Sequence, residues 1–173
     1  MSHPLPDAEV SSVVNAVLGD ESLAQFSGVL QALQSPNNAE RKTAEQCYEA
    51  CKVAAPDATA EKLCACLGRR EDPGQRLYAA VVLKRLLVTD VMVLDAATGE
   101  SKYVSGWKKL APATLHGVKE SLLAAILSES DANVRRRIGD AIGEAGGEMV
   151  EKDETTNVAA WPELMASATT DDR

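Results

Sequence analysis

Apolar positions recur along this chain with one phase and one kind of beginning. Counted from Arg41, the residues at offsets 3, 6, 7 and 10 are Ala44, Cys47, Tyr48 and Cys51. Counted from Arg76 they are Ala79, Val82, Leu83 and Leu86; from Arg135 they are Ile138, Ala141, Ile142 and Ala145. Those offsets fall on one side of a helix with a period of 3.6, so each stretch predicts a helix with one buried stripe. None of the twelve positions carries a charge. Each Arg also follows a turn-forming run: Ser35-Pro36-Asn37-Asn38, Glu71-Asp72-Pro73-Gly74, and the polar stretch Ser128 to Asn133. One turn-plus-helix unit is present three times, and internal repetition decides the architecture before any single motif does.

The intervening stretches supply partners for these helices. Residues 1–19 form a lead-in, with two prolines and then a short stripe of Val10, Val13, Val14, Val17 and Leu18 that Gly19 stops. A helix starting at Asp20 or Ser22 carries Phe26, Val29, Leu30 and Leu33 on one face and completes a first two-helix unit, 20–53. Pro56 breaks the chain; a helix with Leu63, Cys64 and Leu67 then pairs with the Arg76 helix in a second unit, 54–88. The periodicity lapses over 89–111, which reads as an inserted loop with one turn around Trp107. Leu115, Val118, Leu122, Leu123, Ile126 and Leu127 open the third unit, 112–150. Trp161-Pro162-Glu163-Leu164-Met165 starts another helix, so 151–173 reads as the first half of a truncated fourth unit. Gly143, Gly146 and Gly147 read as thin spots where helices approach.

Composition narrows the class. Aromatic residues make up 3% of the 173, which favours helices packed through small aliphatic side chains over a sheet core. A formal charge of −8 argues against nucleic acid as a partner, because phosphates call for a basic face. No apolar run reaches membrane-spanning length, so no membrane insertion is expected. No secretory signal is visible at the start, which places the four cysteines in a reducing compartment as free thiols. Cys47, Cys51, Cys64 and Cys66 invite a zinc reading, but two of them occupy core offsets and neither His3 nor His116 is close in sequence. No metal, cofactor or catalytic set is predicted: there is no phosphate-cradling glycine loop, serine elbow or spaced carboxylate pair.

The unit itself resembles a HEAT repeat, and the stretches SPNNAERKTAEQCYE, LYAAVVLKRLL, NVRRRIGDAIGEAGGEM and WPEL resemble, in order, the amino-terminal repeats of importin-β-type nuclear transport receptors. The importin-five (karyopherin-β3) branch is the most similar. The resemblance covers about residues 20 to 168. It implies an all-α, right-handed solenoid of about three and a half helical pairs, in which the second helix of each pair lines the concave face. It implies binding of the Ran GTPase in its GTP form, carriage of basic protein cargo, shuttling between cytoplasm and nucleus, and contact with nucleoporins through repeats beyond these. In HEAT proteins the Arg at the head of the second helix is mostly structural, so Arg41, Arg76 and Arg135 read as a ladder bonded to turn carbonyls.

The outward edge of those second helices, at offsets 1, 5 and 8, is the candidate contact surface. It comprises Lys42, Gln46 and Glu49; Leu77, Val81 and Lys84; and Arg136, Asp140 and Gly143. Leu77 and Val81 would form an apolar centre with charged groups around it. Two other classes compete. One is a HEAT scaffold outside nuclear transport, such as a phosphatase regulatory subunit. The other is a HEAT-like DNA glycosylase, which would need a basic, aromatic-lined concave face that this composition does not offer.

Overall fold

A computed structural model describes residues 7–69, 72–94, 99 and 101–152. Among them the chain is all-α apart from one hairpin. Its helices are α1 (Asp7–Leu18), α2 (Ala24–Ala32), α3 (Asn38–Ala54), α4 (Pro56–Leu67), α5 (Pro73–Val88), α6 (Pro112–Ser128) and α7 (Ala132–Lys152). The expected fourth-unit helix from Trp161 lies outside the described residues.

Local chemistry explains where the helices begin. The Asn37 side chain accepts from Ala39 N at 2.9 Å and Glu40 N at 3.4 Å and so caps α3. Asp72 accepts from Gln75 N at 3.0 Å above α5, and Asp131 from Asn133 N and Val134 N at 2.8 and 3.0 Å above α7. Each cap satisfies amides that a first helical turn leaves free. Pro56 and Pro112 open α4 and α6, where a missing N–H costs nothing. Before α2, the Asp20 carboxylate accepts from Gln25 N and from both the amide and hydroxyl of Ser22. Those bonds hold the exposed Asp20 carboxyl down at about 2. Leu23, between them, takes a left-handed φ of 63°, uncommon for a branched residue. The corner is fixed from α4 and its C-terminal turn: Lys62 Nζ donates to Asp20 O at 2.8 Å, and Arg69 donates to Ser22 O.

Consecutive helices pair, α2 with α3, α4 with α5, and α6 with α7. The second and third pairs stack layer on layer, α4 against α6 and α5 against α7. The first pair meets the second crosswise, α2 against α5 and α3 against α4, while α1 lies over α3 and α2. Of the twelve stripe positions, all are buried except Cys47 and Tyr48, which are half-buried. Leu63, Leu83, Leu87, Leu122 and Ile138 are fully enclosed, each worth about 1.5–3 kcal/mol relative to exposure.

The structure departs from the sequence reading in two places. Residues 89–111, expected as a loop with one turn around Trp107, do have that turn, over Gly106–Lys109, but also hold a hairpin that the expectation lacked. Strand β1 (Asp90–Leu94) pairs antiparallel with β2 (Ser101–Ser105), Met92 facing Tyr103, and a 3-10 turn over Gly106–Lys109 follows. Val91, Met92, Val93 and Leu94 on one side and Tyr103-Val104 on the other are β-favouring, and Gly99 between them takes φ 71°. The hairpin is tied down at its base. Gly106 N donates to Thr89 O at 3.1 Å, any Cβ at Gly106 would collide with Leu86 O, and Trp107 and Leu110 are buried. Ala111 N donates to Asp57 Oδ1 at 2.8 Å, which joins the return of the chain to α4. The second departure concerns Gly143, Gly146 and Gly147. Side chains built there would meet nothing within 4 Å, so these are open positions and not close helix approaches.

The three leading arginines share one bond. Arg41 Nη1 donates to Ser35 O at 3.1 Å, Arg76 Nη1 to Arg69 O at 3.0 Å, and Arg135 Nε and Nη2 to Glu129 O at 3.0 and 2.6 Å. Each guanidinium thus reaches back six or seven residues to close the turn that precedes its helix. Arg76 does more. Its Nε and Nη2 grip both oxygens of Glu129 at 2.7 and 2.9 Å, across 53 residues of sequence, with side chains only 9% and 5% exposed. Glu129 also accepts from Asp131 N at 2.9 Å, so its carboxylate is held by both charge and backbone.

These bonds set an acid limit on stability. The Arg76 hydrogen bonds hold the Glu129 carboxyl below its ordinary value of 4.5, against the opposing effect of burial. A folded-state depression contributes stability that is complete above about 4.5 and lost as pH falls through the lower folded value. Glu129→Gln is therefore expected to flatten the acid limb of stability against pH measured by urea denaturation. At neutral pH, Glu129→Ala strands a buried guanidinium and is expected to cost about 3–5 kcal/mol, whereas the paired change Arg76→Met, Glu129→Leu restores most of that loss. Equal losses in the single and paired variants would show that the charges are not coupled.

Candidate functional site

The candidate residues stand on α3, α5 and α7; α5 packs against α7, while α3 packs mainly against α1, α2 and α4. On α3, Lys42, Gln46 and Glu49 are all exposed, and Glu49 pairs with Lys52 at 2.7 Å one turn on. On α5, Leu77 and Val81 are half-buried, and Leu77 packs against the core. They offer partial apolar edges and not a fully exposed patch. The fully exposed large apolar side chains among the described residues are Val53, Tyr103 and Leu127. On α7, Arg136 and Gly143 are exposed, while Asp140 is half-buried and pairs with Arg137 at 3.2 Å.

An ion pair joins α5 to α7. Lys84 Nζ of α5 meets Glu144 Oε1 of α7 at 2.9 Å. Burial first, and then Glu49 and Tyr78, push the Tyr48 hydroxyl up, with Arg85 opposing. That hydroxyl is buried without a hydrogen-bond partner among the described residues, as is Ser105 Oγ at the base of the hairpin. The Lys84–Glu144 bridge is half-exposed and worth about 0–1 kcal/mol. It orients the edge more than it stabilises the fold. The sequence reading chose Lys84 but not Glu144, which stands at offset 9 from Arg135, one past the matching position Gly143.

Arg41, Arg76 and Arg135 point into turns and toward Glu129 and are not a rail for an outside partner. Arg76 is buried, Arg41 half-buried and Arg135 exposed. Glu129 itself was absent from the sequence reading. Its signal was an acid in the third turn, at the position where the first turn has Ser35, six residues before the leading Arg.

The cysteines divide by environment. Cys51 and Cys66 are buried, Cys47 and Cys64 half-buried. Among the described residues, no group of three His, Cys, Asp or Glu side chains is placed to hold a metal ion. No helix among them is long and apolar enough to cross a membrane. A hydrogen bond with Cys51 lowers the Cys47 thiol to about 7, with burial opposing, and the same bond together with burial pushes Cys51 up. Burial also raises Cys64, to about 11, and Cys66. The chain matches no family model, no curated protein and no solved structure.

A thiol is nucleophilic as thiolate, so Cys47 is expected to be alkylated first by iodoacetamide in the folded protein, with a rate midpoint near pH 7. Cys51→Ala removes the bond that lowers it, and the midpoint should rise toward the ordinary thiol value. Peptide mass spectrometry over a pH series reads both; preferential labelling of Cys64 or Cys66 would contradict the assignment.

Proposed function

We propose that this chain is the amino-terminal part of a nuclear import receptor of the importin-β type. In this reading the stacked pairs are HEAT repeats in a right-handed solenoid, with α3, α5 and α7 lining its concave face. The face receives the Ran GTPase in its GTP form, which releases basic protein cargo in the nucleus, and the receptor shuttles between cytoplasm and nucleus. Nucleoporins are met through repeats beyond those described.

The observation that carries the reading is the threefold bond from a helix-leading Arg to the carbonyl six or seven residues before it. It recurs at Arg41, Arg76 and Arg135 and coincides with the two-layer stacking of α4 on α6 and α5 on α7. A repeat that closes its turn the same way each time supports a solenoid over a single bundle. The partner assignment rests on the sequence resemblance. A net charge of −8 suits basic cargo. A HEAT scaffold outside nuclear transport is the alternative, and nucleotide dependence separates the two.

Pull-down on immobilised Ran is expected to retain the chain with the GTP-loaded form and not with the GDP-loaded form. Retention on neither form would favour the scaffold. Within the proposed contact, Leu77→Ala with Val81→Ala is expected to weaken binding by about 1–3 kcal/mol. Because Leu77 also touches the core, the circular-dichroism melt of that variant must be read beside it. Lys42→Glu, on an exposed rim, should reduce association with a loss that fades at high salt. Undiminished binding by both variants with intact melts would place the contact elsewhere.

A further inference from the structure

Two of the four thiols form a pair. Cys47 and Cys51 stand one turn apart on α3, and their side chains hydrogen-bond to each other. The other two point elsewhere: Cys64 bonds with Ser121 of α6, and Cys66 with Ser27 of α2. Cys51 belongs to the apolar core, and the half-buried Cys47 packs against it, so one sulfur is covered and the other is reachable. The pair occupies stripe offsets 6 and 10 and is separate from the edge at offsets 1, 5 and 8.

Spacing decides what such a pair can hold. Side chains one turn apart on a helix have Cβ atoms about 5–6 Å apart. A disulfide needs them at about 3.5–4.5 Å, so closing one would distort α3, which runs unbroken from Asn38 to Ala54. Zinc needs four ligands in a tetrahedron, and among the described residues no group of three His, Cys, Asp or Glu is placed to hold a metal ion. The nearest acids along the helix, Glu45 and Glu49, are exposed and pair with Arg41 and Lys52. An ion that bridges two sulfurs needs neither a shorter Cβ spacing nor a third ligand. Soft thiolates in an apolar setting select copper(I), which two of them satisfy.

We propose that Cys47 and Cys51 form a two-thiolate site for a soft monovalent cation of the copper(I) class. The proposal does not depend on the transport reading. The ion displaces one proton from each thiol and leaves a two-coordinate bridge, sulfur to copper to sulfur, across one turn of α3. Cys47, the half-buried partner, meets the ion first, and Cys51 anchors it from the core side.

The test uses the full chain, reduced and without oxygen, with copper(I) alone as the probe and bicinchoninate as the competing chromophore. The unaltered chain is expected to withdraw one equivalent of copper(I) as a monomer. Cys47→Ser and Cys51→Ala should each lose that equivalent, and the double variant Cys64→Ala, Cys66→Ala should keep it. Cys47→Ser is the decisive change because the residue is half-buried; an unchanged circular-dichroism spectrum and melt separate loss of the ligand from loss of the fold. Copper-edge X-ray absorption on the loaded chain should show two sulfur neighbours. No withdrawal by the unaltered chain, full withdrawal by Cys47→Ser, or loss only in the Cys64, Cys66 variant would overturn the proposal. So would a doubled mass on loading, because the ion would then be shared between two chains.

Discussion

A buried guanidinium holding a buried carboxylate is the constraint on which this structure depends. Arg76 opens α5 and Glu129 sits in the turn between α6 and α7, so their two parallel bonds connect the second helical pair to the third. Removing two charges from water is expensive, and such a pair stabilises only when its remaining donors and acceptors are satisfied. Here they are. Arg76 also donates to Arg69 O, Glu129 also accepts from Asp131 N, and the Glu129 carbonyl accepts from Arg135. Two turns and three charged side chains form one network, and α5 and α7 lie side by side below it.

That network also bears on the surface that a partner would meet. The Lys84–Glu144 bridge depends on the relative placement of α5 and α7, which the buried pair and the apolar stripe below it determine. The exposed edge gains little energy from its own charges, so its geometry is inherited from the core. The first pair is attached differently. Crosswise contacts of α2 and α3, the Ser27–Gln75 bonds, and Lys62 and Arg69 on the α2 entry turn hold it to the second. Its edge residues Lys42, Gln46 and Glu49 therefore stand on a helix whose main neighbours are α1, α2 and α4.

The helices were legible in the sequence because their burial is periodic and their caps are chemical. Offsets 3, 6, 7 and 10 from three arginines marked positions that are buried or half-buried, and Asn37, Asp72 and Asp131 stand where α3, α5 and α7 begin. The hairpin was missed because its strands are five residues each, too short for a period-2 pattern to stand out beside long helices. Leu77 and Val81 were expected at the solvent face. Helix phase alone does not say how wide a stripe the neighbouring helices cover, and Leu77 is partly covered. The Arg76–Glu129 pair spans 53 residues, and no local pattern encodes a contact at that separation. Only the repeat, with an acid in the third turn six residues before Arg135, carried a trace of it.

The central claim is that the buried pair joins the second and third helical pairs into one cooperative stack. Hydrogen exchange on Arg76→Met, followed by mass spectrometry at neutral pH, tests it most directly. The account predicts that α6 and α7 lose protection first and furthest, while α2 and α3 keep most of theirs, because units in a stack are stabilised by their neighbours. An even loss of protection across all helices, or unchanged protection in α6 and α7, would contradict it.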